Sequence, residues 1–175
     1  MSVHQEPEHT VLSEHVREEI DHWRAKFPVD QQRSAVIAAL HAVQHENHGY
    51  LTEESMAAVA GYLDMPVVQV FEVATFYSMF ETKKVGRCSI SVCTNVSCML
   101  RGGEKLQQHI EQKLGIKVGE STADGKFYLK REEECLAACN NAPMMMVNHR
   151  YYENLTPELV DEILERYGND VEEPG

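Results

Sequence analysis

Several absences narrow the reading of this 175-residue chain before any motif is considered. No stretch approaches the roughly 18–20 unbroken apolar residues that a membrane span requires, so direct membrane insertion is not expected. Positive charge is scarce: 16 Lys and Arg face 28 Asp and Glu, a formal net charge of −12. Phosphate recognition needs clustered cations, so nucleic acid is not an expected partner. An acidic surface suits docking to a neutral or basic protein. Cysteine is missing from the first half of the chain, and all five lie between Cys88 and Cys139. A secreted disulfide framework would spread its cysteines, and residues 1–10 have neither the basic start nor the apolar stretch of a secretory leader. The expectation is a reducing compartment and a metal or redox site. Also missing are a nucleophile–base arrangement, a phosphate-cradling loop and a dinucleotide fingerprint; Gly102-Gly103 is too short to count. The chain therefore reads as a component of an enzyme with no complete active site of its own.

The residues that are present fall into two rhythms. Residues 1–10 and 169–175 are polar and read as flexible tails. Residues 11–82 repeat apolar positions at helical spacing and predict a four-helix bundle. Val16, Ile20, Trp23 and Phe27 form the first stripe, behind Ser13 as N-cap and ahead of Pro28. Asp30 is the expected cap of a second helix bearing Val36, Ile37, Leu40 and Val43, which Gly49 stops. Thr52 opens a third helix with Met56, Val59, Ala60 and Leu63, and Pro66 opens a fourth with Val67, Val70, Phe71 and Ala74.

Residues 85–168 change to strands mixed with helices. Cys88–Val92 alternates with period two and predicts a strand. A helix follows from about Gly103, with Leu106, Ile110 and Leu114 inward and Gly115 as its stop. Lys126–Lys130 predicts a second strand after an Asp124-Gly125 turn, and Met144–Val147 with Arg150–Tyr152 a hairpin turning at Asn148-His149. Thr156 caps a last helix that starts at Pro157 and turns Val160, Ile163, Leu164 and Tyr167 inward. The order β-α-β-β-β-α describes a small sheet with helices against it.

Two cysteine pairs carry the chemistry: Cys93-Thr-Asn-Val-Ser-Cys98 and Cys135-Leu-Ala-Ala-Cys139. Each follows a predicted strand, where loop backbone can turn N–H groups toward a shared centre. A [2Fe–2S] cluster takes two thiolates per iron, and either gap is short enough for both sulfurs to reach one iron. Structural zinc also accepts four thiolates, but its knuckles favour C-x2-C, which neither pair has. A dithiol–disulfide enzyme would ordinarily show C-x-x-C, and two close pairs in loops argue against unliganded core cysteines. Cys88 shares strand parity with Ile90 and Val92 and reads as a buried thiol.

Other features have mundane readings beside the sharper ones. His41 and His45 lie one turn apart, as two metal ligands would, yet no third ligand is evident and a solvated helix face is the favoured reading. The acidic run Arg131–Glu134 reads as an exposed loop that could also meet a partner. Met144–Met146 could shield a centre from water or fill a strand core. Phe76, Tyr77 and Phe80 read as packing between the two parts of the chain, with a partner surface as the alternative.

The segments Val92–Gly103, Asp124–Leu129 and Cys135–Met145, with Val73–Phe80 upstream, resemble the thioredoxin-like [2Fe–2S] ferredoxin family found in NADH–quinone oxidoreductase (complex I). The likeness runs from about Leu12 to Gly168, with C-x4-C and C-x3-C in the family's order. It departs at Ala137, where many members carry Gly. The resemblance implies a helical bundle followed by a thioredoxin-like α/β domain, an α+β fold overall. It implies one [2Fe–2S] cluster on Cys93, Cys98, Cys135 and Cys139, exchanging single electrons with the FMN of a flavoprotein subunit that oxidises NADH. FMN, NADH and quinone would then bind elsewhere in the complex, beside a neighbouring iron–sulfur subunit. A cytoplasmic position, peripheral on the inner face of the bacterial membrane, would follow, with a homodimer considered for the free subunit. The related hosts are the diaphorase units of NAD-linked hydrogenases and formate dehydrogenases, and a zinc-stabilised interaction module is the alternative of another class.

Overall fold

The computed structural model describes residues 11–131 and 135–169. It divides into two compact units, residues 1–84 and 85–175. Glu132, Glu133 and Glu134 of the acidic run lie outside the described residues, as do residues 1–10 and 170–175.

In the first unit the helices begin where polar caps satisfy their free N–H groups. Helix α1 (Glu14–Arg24) starts at Ser13, whose side-chain oxygen accepts from the Val16 N–H at 3.1 Å. Helix α3 (Glu53–Tyr62) starts at a capping box in which Thr52 and Ser55 each accept from the other's backbone N–H. Helix α2 (Val36–Glu46) departs from the expectation: Val29–Ala35 winds as a 3-10 helix, and the N-cap of α2 is Ala35, which offers no side-chain bond. Asp30 cannot cap α2 because it sits in the first turn of that 3-10 stretch, its carboxylate accepting from the Gln31 side chain at 3.3 Å. Pro66 is the N-cap of helix α4 (Val67–Phe76), one place earlier than a first helical position.

These helices share one core containing Ile20, Leu40, Met56, Val59, Val70 and Phe80. Each fully buried aliphatic side chain there stabilises the unit by about 1.5–3 kcal/mol. The aromatic trio does not act together: Phe80 enters this core, Tyr77 is partly exposed and Phe76 is 80% exposed. His41 is half-buried, its ring 4.9 Å from that of Phe80, whereas His45 and His48 are exposed.

The second unit is built on a four-stranded sheet of order β2-β1-β3-β4. Strand β1 (Cys88–Val92) pairs in parallel with β2 (Phe127–Leu129) and antiparallel with β3 (Met145–Val147), which continues antiparallel to β4 (Arg150–Tyr152). Ile90, Val92, Leu129, Met145 and Val147 form one core with Leu106 and Ile110 of helix α6 (Gly103–Leu114) and with Val160, Ile163 and Leu164 of helix α7 (Pro157–Gly168). Thr156 caps α7 by accepting from the Leu159 N–H at 3.3 Å. Gly115, at φ 68°, ends α6. A further short helix, α5 (Val96–Leu100), lies within the first cysteine segment. Among the described residues, no helix is long and apolar enough to cross a membrane.

Candidate metal centre

Sheet topology determines which cysteines can meet. Parallel strands β1 and β2 end at the same edge of the sheet, and antiparallel β3 begins there. Cys93 follows β1 directly, Cys98 lies on α5, and Cys135 and Cys139 lie in the connection from β2 to β3. All four are therefore delivered to one edge by the strand order. Val92 pairs with Met145, and just beyond that pair the Cys93 N–H donates to the Met144 carbonyl at 3.2 Å.

The two halves of the site are built differently. Cys93 and Cys98 are 1% exposed and share a small apolar cluster with Leu136, Ala142 and Met144. Asn95 caps α5, its side-chain oxygen accepting from the Val96 N–H at 2.9 Å. Gly103 presses its backbone against both ends of that loop: a Cβ there would lie 2.7 Å from the Cys93 carbonyl oxygen and 2.9 Å from that of Cys98. Gly102, at φ 92°, supplies the left-handed turn into α6. Cys135 and Cys139 are exposed, with sulfurs 3.6 Å apart. The Ala137 N–H donates to the Cys135 sulfur at 3.4 Å. Ala137 has φ 63°, the left-handed region that a Cβ disfavours.

The ionisation of the thiols reflects this arrangement. Burial pushes the Cys93 thiol up, but N–H groups of Leu136 and Asn95 and the thiols of Cys98 and Cys135 outweigh it and hold Cys93 below the usual range. Burial, then the adjacent Cys93, push Cys98 to about 11 against the pull of the Met144 N–H. At Cys135 the Ala137 N–H pulls downward, but Cys139, residual desolvation and the charge of nearby sulfurs together push it up. The Leu136 donor to Cys93 belongs to the second loop, so the two cysteine segments interact directly across the edge.

A tetrahedral metal with sulfur bonds of about 2.3 Å separates two of its sulfurs by about 3.8 Å. The 3.6 Å between Cys135 and Cys139 is close to that edge length. Among the described residues no three His, Cys, Asp or Glu close around a single ion, as a mononuclear zinc centre would require. Thiols interacting in pairs, with backbone N–H groups directed at three of the sulfurs, suit the donor set of a two-iron cluster.

The remaining candidates separate from this centre. Cys88 lies at the opposite end of β1 and is half-buried rather than buried, because it packs at the margin of the sheet core and not within it. The methionine run divides by strand parity: Met145 fills the sheet core, while Met144 and Met146 pack at the cysteine cluster. Two residues of consequence escaped sequence reasoning: Leu136, the floor of the site, and Gly103, its anchor; the Asn95 cap signal could have revealed α5. Ala137, already singled out in the sequence where many members carry Gly, is the site's strained N–H donor.

Comparison with known proteins bears on the family. A thioredoxin-like [2Fe–2S] ferredoxin profile matches residues 20–168. The chain is 45% identical over 145 residues to the E-type NADH-quinone oxidoreductase subunit of Rickettsia felis, covering 83% of this chain and 86% of that protein. It is 44% identical over 152 residues to the second E-type NADH-quinone oxidoreductase subunit of Rhizobium meliloti, covering 87% and 88%. Among solved structures, an NAD+-reducing [NiFe]-hydrogenase in its air-oxidised state is similar with a TM-score of 0.67 at 23% identity. That match covers 78% of this chain but only 23% of the hydrogenase chain, and it speaks to the fold. By the extent of the profile match and the identity to these relatives, the chain belongs to the thioredoxin-like [2Fe–2S] ferredoxin family.

Proposed function

We propose that this chain is an electron-transfer subunit of an NADH–quinone oxidoreductase, with Cys93, Cys98, Cys135 and Cys139 holding one [2Fe–2S] cluster. The observation that carries the proposal is the meeting of two thiol pairs at one sheet edge, with backbone N–H groups directed at three of the sulfurs. The two NADH-quinone oxidoreductase relatives support the choice of host. When bound, the cluster supplies reversible one-electron storage next to the FMN of a flavoprotein subunit that oxidises NADH.

The chain's own residues hold and tune that store. N–H groups of Asn95, Leu136, Met144 and Ala137 offset the negative charge of the thiolates. Leu136, Ala142 and Met144 exclude water from the Cys93–Cys98 side. Exposed Cys135 and Cys139 form the face open to a redox partner. The helical unit acts as a four-helix bundle ahead of the thioredoxin-like domain, and neither needs a site for NADH, FMN or quinone. Docking onto the flavoprotein and an adjacent iron–sulfur subunit would hold the chain at the inner face of a bacterial membrane without inserting it. The diaphorase unit of an NAD-linked hydrogenase or formate dehydrogenase is the alternative host, distinguished by which subunits co-purify.

Metal analysis of the natively purified chain tests the reading. Iron and acid-labile sulfide in equal amounts, visible absorbance and an EPR signal on reduction are expected, and Cys98→Ser should abolish most of the absorbance. The thiolates and acidic surface favour a low potential, for which about −400 mV in plant-type ferredoxins is a guide. Colourless protein containing zinc without sulfide would refute the assignment.

A further inference from the structure

The unequal exposure of the two cysteine pairs has a chemical consequence for the chain before it carries a cluster. Cys93 and Cys98 are each 1% exposed, out of reach of a soluble oxidant. Cys135 and Cys139 are exposed, and their sulfurs stand 3.6 Å apart. A disulfide requires about 2.05 Å, so the sulfurs must approach by roughly 1.5 Å. Side-chain rotation can supply that movement. The intervening segment is neither helix nor strand except for the 3-10 turn beginning at Cys139, and strain at Ala137 leaves it a conformation to relax toward.

We propose that in the cluster-free chain Cys135 and Cys139 form a reversible disulfide that blocks cluster loading until it is reduced. The blocking role rests on the four cysteines being the cluster ligands. The oxidant is a small disulfide such as oxidised glutathione. The Cys135 thiolate attacks one glutathione sulfur, breaking that disulfide, forming a mixed disulfide and expelling one glutathione thiolate. The Cys139 thiolate then attacks the Cys135 sulfur and expels the second. Two electrons pass from the protein to glutathione, and the protons released by Cys135 and Cys139 end on the two glutathione thiols. Half the ligand set is then tied up, while the buried pair stays reduced. The same closure keeps the exposed thiols off the irreversible part of the oxidation ladder.

The test treats the full cluster-free chain with oxidised glutathione in the absence of metal. Intact mass should fall by two hydrogens, peptide mapping should link Cys135 to Cys139, and two of the five cysteines should stop reacting with a thiol reagent. Given ferrous iron and sulfide, the oxidised chain should gain visible absorbance roughly tenfold more slowly than the reduced, reductant-free chain, and dithiothreitol should restore the rate. Cys139→Ser should stop at a stable glutathione adduct on Cys135. A bond from Cys93 to Cys135, or glutathione adducts persisting on the unsubstituted chain, would overturn the inference. A reduced chain that takes up no iron, while the Cys135–Cys139 bond still forms, would instead refute the ligand assignment and leave the disulfide standing.

Discussion

The first cysteine loop is held by regular structure, whereas the second relies on irregular backbone. Cys93 and Cys98 are fixed between the end of β1, the short helix α5 and the start of α6, with Gly103 in van der Waals contact with both. Cys135 and Cys139 share an exposed segment shaped by a residue in a conformation that its own Cβ disfavours. One half is preorganised and dry, and the other is strained and wet. Four like thiols can therefore differ widely in what disturbs them, and the difference predicts which substitutions matter.

Breaking the rigid half should have the largest effect. Gly103→Ala drives a methyl group against two backbone carbonyls that cannot rotate away. The expected cost is at least about 1–3 kcal/mol, as for overpacking elsewhere, together with loss of most bound iron. Thermal melting and iron-to-protein ratio check both. Relaxing the irregular half should have a smaller and opposite effect. Left-handed backbone costs a non-glycine residue about 1–2 kcal/mol. Ala137→Gly removes that cost but gives back about 0.4–1 kcal/mol of unfolded-chain freedom, so a net gain of roughly 0.5–1 kcal/mol is expected. Denaturant melting measures the gain, and slower iron release to a chelator should accompany it. No gain would mean that the strain at Ala137 is illusory.

The smallest effect concerns the support behind the rigid half. His109 of α6 lies 2.8 Å from Asp161 of α7, and Lys113 lies 3.5 Å from the same oxygen. The hydrogen bond with His109, above all, holds the Asp161 carboxyl below its usual range. A depressed carboxyl contributes stability above its ordinary pKa of about 3.9 and loses it as pH falls through the lowered value. Asp161→Asn should therefore lower the melting temperature slightly at neutral pH, converge on the parent as acid protonates the Asp161 carboxyl, and leave iron content unchanged.

Much of this was legible in the sequence because the signals were local. Ser13, Thr52 and Thr156 announce helix starts through their own oxygens, and β1 begins and ends where its alternation does. The two cysteine spacings advertised the candidate centre without any tertiary information. Where the sequence misled, a local cue lost to a neighbouring interaction. Asp30 looked like a cap, but the chain after Pro28 wound as a 3-10 helix and α2 began only at Val36. Helix α5 was masked because its five residues fall inside the cysteine spacing. Gly103 and Leu136 were invisible for a different reason: their importance lies in what approaches them from elsewhere in the chain.

One residue at the entry to β3, Met144, has a consequence for biogenesis. The Met144 carbonyl accepts from Cys93, and its N–H faces the Cys98 sulfur. A nascent chain that has emerged only as far as Cys139 thus possesses every cysteine but lacks the residue whose backbone meets the first two. If the four cysteines are ligands as proposed, assembly of the first pair waits on Met144, a residue outside both cysteine segments.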